Sequence, residues 1–259
     1  MNILQLVLIG LIAMNFEFPN SIEMFGEQSQ LLPQIINQSL FSQFQPPQDL
    51  EPTRRTDGAA SRGAKCQTSN QPLTLLIPQQ SYIGLTVAER PTLVAYIPKV
   101  EPGKNGKLIV RTEDGSTNLL TTQFVVPPQA GVISFTLPAH VPPLEVGQRY
   151  QWQLEIICEA DNPTGIIYSP LGWIERVQDD SALSQQINQA IPQTHSTIYA
   201  QAGIWYDALS SLLAQRRAIP EDRTFAQAWE SLLSSESVEL EAFAQEPILD
   251  CCQAQESPN

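Results

Sequence analysis

The run Arg149–Cys158 (RYQWQLEIIC) constrains this chain most. Tyr150, Trp152, Leu154, Ile156 and Cys158 fall on one face of an extended chain. Arg149, Gln151, Gln153 and Glu155 fall on the other. A period of two with one apolar and one polar face describes a half-buried β-strand. The residues leading into it, Leu144 to Tyr150, read L-x-x-G-x-x-Y. A glycine there supplies the turn, and the tyrosine hydroxyl can bond back to upstream backbone. This is the logic of the tyrosine corner in Ig-like sandwiches.

Other short segments join this strand. Leu73–Ile77, Thr92–Ile97, Lys107–Glu113, Thr117–Val126, Val132–Leu137, Ile166–Tyr168 and Trp173–Val177 read as strands. Asp114-Gly115 supplies a hairpin signal between two of them. Many of the 21 prolines sit at strand ends, which suits sheet edges. No helical period separates the strands, so a sandwich fits better than a parallel sheet. From Asp180 the period becomes helical. Ser181 is placed to cap Ala182–Ile191, Thr194 a segment ending at Ala202, and Asp222 a segment from Arg223 to Ser234. Between them, Ile204–Ile219 runs to Pro220 with apolar positions at spacing four, and Ser237 is placed to cap Val238–Ala244. The expected architecture is α+β: an Ig-like antiparallel β-sandwich of seven or eight strands carrying a C-terminal layer of three or four helices. Its expected bounds are 66–178 for the sandwich and 179–252 for the helical layer, one domain in all.

The first 65 residues read differently. Ile3–Ala13 is an apolar run too short to span a bilayer, and it matches the h-region of a signal peptide, expected over 1–20. Residues 21–65 are rich in Gln, Pro, Ser and Asn and read as a disordered linker. Within it, 31–41 has the spacing of one transient amphipathic helix, and Arg54, Arg55, Arg62 and Lys65 form a basic tether. The expected location is outside the cytoplasm, periplasmic or extracellular, with no stable membrane span in the mature chain.

Charge narrows the partners. The net charge is −13, which argues against nucleic acid. It argues equally against an anionic membrane face. The four cysteines, Cys66, Cys158, Cys251 and Cys252, form no C-x-x-C, and His140 and His195 sit in no ligand spacing, so no metal or cofactor is expected. In an oxidising compartment Cys66–Cys158 is the leading candidate disulfide. Four cysteines allow three pairings. Cys251 and Cys252 either join each other in a vicinal bond or send one member back to Cys66 or Cys158.

Catalytic patterns are sparse. No nucleophile elbow, zincin helix, phosphate-binding loop or dinucleotide fingerprint is present. His140 and His195 are the available bases, and each reads more simply as a loop or helix-end residue. Glu155, Glu159, Asp161 and Glu175 could converge as glycosidase carboxylates, although a solvated sheet face explains them equally well. Trp152, Trp173, Trp205, Tyr206 and Trp229 cluster after residue 150. Packing of helices on sheet would make these rings the seam between layers. If the seam opens to a partner, Trp205, Tyr206 and Trp229 are the candidate interaction surface. Gly203, Tyr206, Ala208 and Pro220 fit one tetratricopeptide-like unit. A single unit reads as a helical hairpin packed on the sandwich, since a solenoid needs about three.

The order LTLLIP, TVAERPTLVAYIP, GVISFTLP, PLEVGQRYQWQLEIIC, GWIERV, YAQAGIWYDALSSLLAQRRAIPED and EPILDCC, with Cys66 ahead of it, resembles the domain-of-unknown-function 928 family, largely of cyanobacterial proteins. The resemblance spans about residues 66–252. It implies sandwich and helices as one unit and favours an exported bacterial protein. It brings no activity, cofactor or catalytic residue with it. The leading expectation is a non-catalytic binding or protein-interaction module of the cell envelope. The alternatives are a carboxylate-dependent hydrolase acting on sugars and a structural envelope component without a discrete ligand.

Overall fold

A computed structural model of the chain describes residues 43–48, 50, 53, 66–159, 162 and 165–252. The expected signal peptide, the 31–41 helix, the basic tether and Asp161 lie outside them. Among the described residues nine strands form two sheets, and four α-helices follow. The strands are β1 (Thr74–Leu75), β2 (Ile83–Thr86), β3 (Thr92–Ile97), β4 (Asn105–Thr112), β5 (Asn118–Val125), β6 (Gly131–Thr136), β7 (Arg149–Ile157), β8 (Ile166–Tyr168) and β9 (Gly172–Arg176). The helices are α1 (Ser181–Gln189), α2 (His195–Gln201), α3 (Trp205–Ala218) and α4 (Arg223–Leu233).

The small sheet has the order β1-β3-β6. The large one runs β2-β9-β7-β4-β5, with β8 pairing β7 beyond β9. The fold is therefore α+β with mixed sheets. It departs from the expected seven or eight antiparallel strands, because β2 pairs β9 in parallel. β2 is the strand that periodicity hides: all four of its residues, Ile-Gly-Leu-Thr, are buried, so it shows no alternation.

β7 is the central strand of the large sheet. It pairs β4 along its length on one side and, on the other, β9 at Arg149–Trp152 and β8 at Glu155–Ile157. Tyr150, Trp152, Leu154 and Ile156 are buried as the alternation requires. The corner before β7 forms as read. Leu144 is fully buried, Gly147 takes the left-handed turn (φ 76°), and the Tyr150 hydroxyl accepts from the Glu145 N–H (2.9 Å). The sheets meet through Phe124 of β5 and Phe135 of β6, edge to face with centroids 4.9 Å apart.

α3 packs on β2 and β3, one strand from each sheet, and buries Trp205, Tyr206, Ala208, Leu209, Leu212 and Leu213. The Trp205 indole N–H donates to Leu76 O (2.9 Å) beside the small sheet. The Tyr206 hydroxyl donates to Trp173 O (2.9 Å) in the large sheet and accepts from the Trp152 indole N–H (2.8 Å). The close approach depends on Gly84 of β2, where a Cβ would sit 2.8 Å from the Tyr206 ring.

Several local readings change. Asp180, not Ser181, caps α1, accepting from the Ala182 N–H (2.6 Å). Asp222 caps α4 as expected, accepting from Thr224 N–H (2.8 Å). The segment expected to be helical over 238–244 shrinks to a 3₁₀ turn at Glu241–Phe243. Part of the expected linker is packed instead of free. Phe44 is buried edge-to-face on Trp205 (5.0 Å), its N–H bonded to Ser235 Oγ (3.1 Å), and Gln45 N–H reaches Ala200 O (3.1 Å). An aromatic ring and two backbone bonds outweigh a polar composition that predicts disorder.

Cys66 and Cys158 are joined, both buried, across a sequence separation of 92. Two outcomes follow. Tyr206→Phe removes the buried acceptor of the Trp152 indole and should destabilise the fold by about 2 kcal/mol in urea titration. Cys66→Ala with Cys158→Ala should cost about 4.6 kcal/mol by the loop-closure scaling, in the same assay and at unchanged far-ultraviolet circular dichroism in water.

Candidate functional site

The expected interaction surface does not lie at the surface. Trp205, Tyr206 and Trp229 are 0%, 1% and 0% exposed, so no partner can reach their rings. The reason is the same spacing that singled them out: Trp205 and Tyr206 occupy the inner stripe of α3, which packs on the sheets, and Trp229 that of α4, which packs on α3. Burial also pushes the Tyr206 hydroxyl up, keeping it protonated and able to donate to Trp173 O.

Of the candidate carboxylates, Glu155 and Glu175 do not converge. Glu175 faces Arg149 across the β7–β9 pair and is bound to it (2.8 Å). Glu155 lies six residues further along β7, about 20 Å away at the usual strand rise. It is buried against Lys107 in an ion pair. Paired glycosidase carboxylates stand roughly 5–9.5 Å apart, so these two cannot serve as such a pair. Glu159 is exposed and accepts from Asn162 Nδ2 (2.9 Å). His140 is exposed in a loop. Among the described residues no three His, Cys, Asp or Glu side chains converge as metal ligands.

Concavities among the described residues include one on the helical layer and one beside β6. The first is an apolar groove of about 400 Å³ on the helical layer. Ala214, Gln215, Ala218 and Ile219 of the α3 end form one wall; Pro192 and His195 form another, and Phe225 lies at its base. Ile219, in its lining, is 50% exposed. The Gln215 amide nitrogen donates to Pro192 O (2.6 Å), tying the walls together. Gln215 Oε1 and His195 Nε2 are buried with no hydrogen-bond partner among the described residues. Sequence reasoning placed His195 at a helix end but had no signal for the groove, because Ala214, Ala218 and Ile219 come from the side of α3 opposite its buried stripe.

The second is a more polar cleft of about 770 Å³ beside β6, lined by Ser134, Thr136, Arg217, Asp250, Cys251 and Cys252. Arg217 donates to Ser134 Oγ (2.9 Å) and to Leu249 O (3.3 Å). Cys251 and Cys252 are bonded to each other, so the vicinal pairing holds and neither reaches back to Cys66 or Cys158.

Asp207, in the first turn of α3, also escaped sequence reasoning. Its Oδ2 accepts from Thr86 Oγ1 (2.7 Å) and Val87 N–H (3.2 Å), pinning the helix start to β2. Burial pushes its carboxyl up to about 6, and nearby Asp179 adds to the rise, against the hydrogen bonds that favour the charged form. Tyr199, close by, is raised by burial first and then by Asp207 and Asp179.

The model of the family described as Domain of Unknown Function (DUF928) matches residues 57–248, and the chain belongs to that family. No curated protein and no solved structure matches it.

Between about pH 4 and pH 6 the native state holds a proton on Asp207 that the unfolded chain has lost. The carboxyl's contribution to stability therefore falls as pH rises through this window, by about 2 kcal/mol, and stays level above it. Asp207→Asn keeps the acceptor oxygen and removes the titration. Its urea midpoint should exceed that of the parent at pH 7, with the gap closing by pH 4. A gap that does not change with pH would contradict this account.

Proposed function

We infer that this DUF928 domain is a non-catalytic, exported binding module that docks a partner protein in the groove of its helical layer. The observation that carries the reading is an apolar groove on the helical layer lined by the half-exposed Ile219. Exposed aliphatic side chains around a concave apolar floor are a feature of interaction sites more than of solvated surface. The occupant is a segment that inserts an aliphatic side chain into this groove.

Export is supported by the buried Cys66–Cys158 bond, which suits an oxidising compartment, and by the apolar start of the chain. No helix among the described residues is long and apolar enough to cross a membrane. The β layer is read as an Ig-like sandwich extended by one parallel edge strand. The Tyr150 corner and the Phe124–Phe135 contact between sheets support this. The carboxylate geometry leaves the sugar-hydrolase alternative without support.

A photo-crosslinking residue at position 219 of the full chain, in native envelope fractions, tests the reading. A defined adduct should form there and not from a probe at Val146, which is exposed on a different element. Ala218→Trp, which fills the groove from an exposed position, should reduce the adduct at least about tenfold with circular dichroism unchanged. The same adduct from both probe positions, or an adduct insensitive to Ala218→Trp, would remove the groove as the docking site.

A further inference from the structure

The two disulfides of this chain cannot have the same role. Cys66–Cys158 closes a loop across a sequence separation of 92 and is buried. Cys251–Cys252 joins neighbours, and a bond between adjacent residues removes almost no loop-closure entropy from the unfolded chain. It is half-buried in the wall of the cleft beside β6, where solutes reach it. What it constrains is local. The ring fixes the turn at 251–252, with Cys252 in the left-handed region (φ 72°) that a non-glycine residue seldom adopts.

That turn ends the segment covering the edge of the small sheet. Val132 of β6 donates to Pro247 O (2.7 Å) and accepts from Leu249 N–H (2.8 Å), in a parallel bridge centred on Ile248. Arg217 Nη2 holds Leu249 O from the other side. Cover stops there. β6 residues alternate in direction, so the backbone groups of Ser134 and Thr136 point the same way as those of Val132, into the cleft. The vicinal ring thus sits where the covering segment leaves the sheet edge.

We propose that Cys251–Cys252 is a thiol–disulfide exchange site for a dithiol, and that its reduction loosens the 247–252 segment from β6. A thiolate of the dithiol attacks one Sγ and expels the other, which takes up a proton. The second thiol of the dithiol then attacks the mixed disulfide and releases the first cysteine. Two electrons pass, the dithiol becomes a disulfide, and the chain gains two thiols. Arg217 lines the same cleft, where its charge favours an expelled thiolate, while Asp250 beside Cys251 opposes it. Opening the ring frees Cys252 from its left-handed turn, and the hold on Leu249 weakens with it. The buried Cys66–Cys158 bond takes no part. This inference is independent of the groove on the helical layer.

The test uses the folded full chain titrated with dithiothreitol, then alkylated and mapped by mass spectrometry. Backbone hydrogen exchange is read in parallel at Val132 and Leu249. Alkylation should appear at Cys251 and Cys252 while Cys66 and Cys158 stay joined. Exchange at Leu249 should rise at least about tenfold on reduction, with the sheet core unchanged. The double variant Cys251→Ser, Cys252→Ser should show the raised exchange without dithiol and no further response to it. The proposal fails if the vicinal pair is reduced only together with Cys66–Cys158 on unfolding. It fails equally if it is reduced in the folded chain with exchange at Leu249 unaltered, or if the serine variant exchanges like the oxidised parent.

Discussion

Three consecutive side chains at the start of α3 hold this molecule together. Trp205 donates to Leu76 O beside the small sheet, Tyr206 bridges Trp152 and Trp173 O in the large one, and Asp207 takes two hydrogen bonds from the end of β2. Each bond is worth only about 1 kcal/mol net, but each has a buried partner that would be costly to leave unpaired. The helical layer is therefore not an appended hairpin. Remove the helix and the Trp152 indole, the carbonyls of Leu76 and Trp173 and the backbone of Gly84 lose their partners. Domain integrity and helix docking are one physical event here, in keeping with a family match that runs without a break from the β region into the helices.

Asp207 shows what that arrangement costs. A carboxylate in the first turn of a helix is favoured by the helix dipole and by its two donors. Burial works in the other direction and prevails, raising the group to about 6. The clasp is thus an electrostatic compromise: it gives β2 and α3 one register at some expense of stability near neutral pH. Lys107–Glu155 is the milder version on the large sheet, a buried acid whose lysine remains partly in water.

What could be read from the sequence follows the same physics. β7 was legible because one of its faces is buried and the other is not, which writes a period of two into the residues. The Tyr150 corner and the Asp222 cap were legible because each is closed within a few residues. β2 was not, since a strand buried throughout carries no alternation and an internal glycine reads as a turn. Phe44 was hidden by its polar neighbours, because its burial is decided by Trp205 and Ser235 far along the chain. Of the rings expected at the seam, Trp205 and Tyr206 bond to the β layer, while Trp229 lies on the helix that packs against α3. Their use as a surface required knowing which side of α3 meets the sheets, and that is set by Gly84 and Leu76, not by the helix itself.

α3 also determines how the groove and the β6 cleft relate. Its end contributes Ala218 and Ile219 to the groove and Arg217 to the cleft, so the two sites share one turn of one helix. Sharing an element couples two sites only if that element has two positions to choose between. α3 has a first turn fixed to both sheets and an inner stripe of buried leucines. It is a rigid spacer, and release of the 247–252 segment can move Arg217's side chain without moving the backbone that shapes the groove. A partner in the groove and the redox state of Cys251–Cys252 are therefore read independently. Energetic coupling between them would require the Trp205–Tyr206–Asp207 anchor to slip, and that is the best-bonded point of the helix.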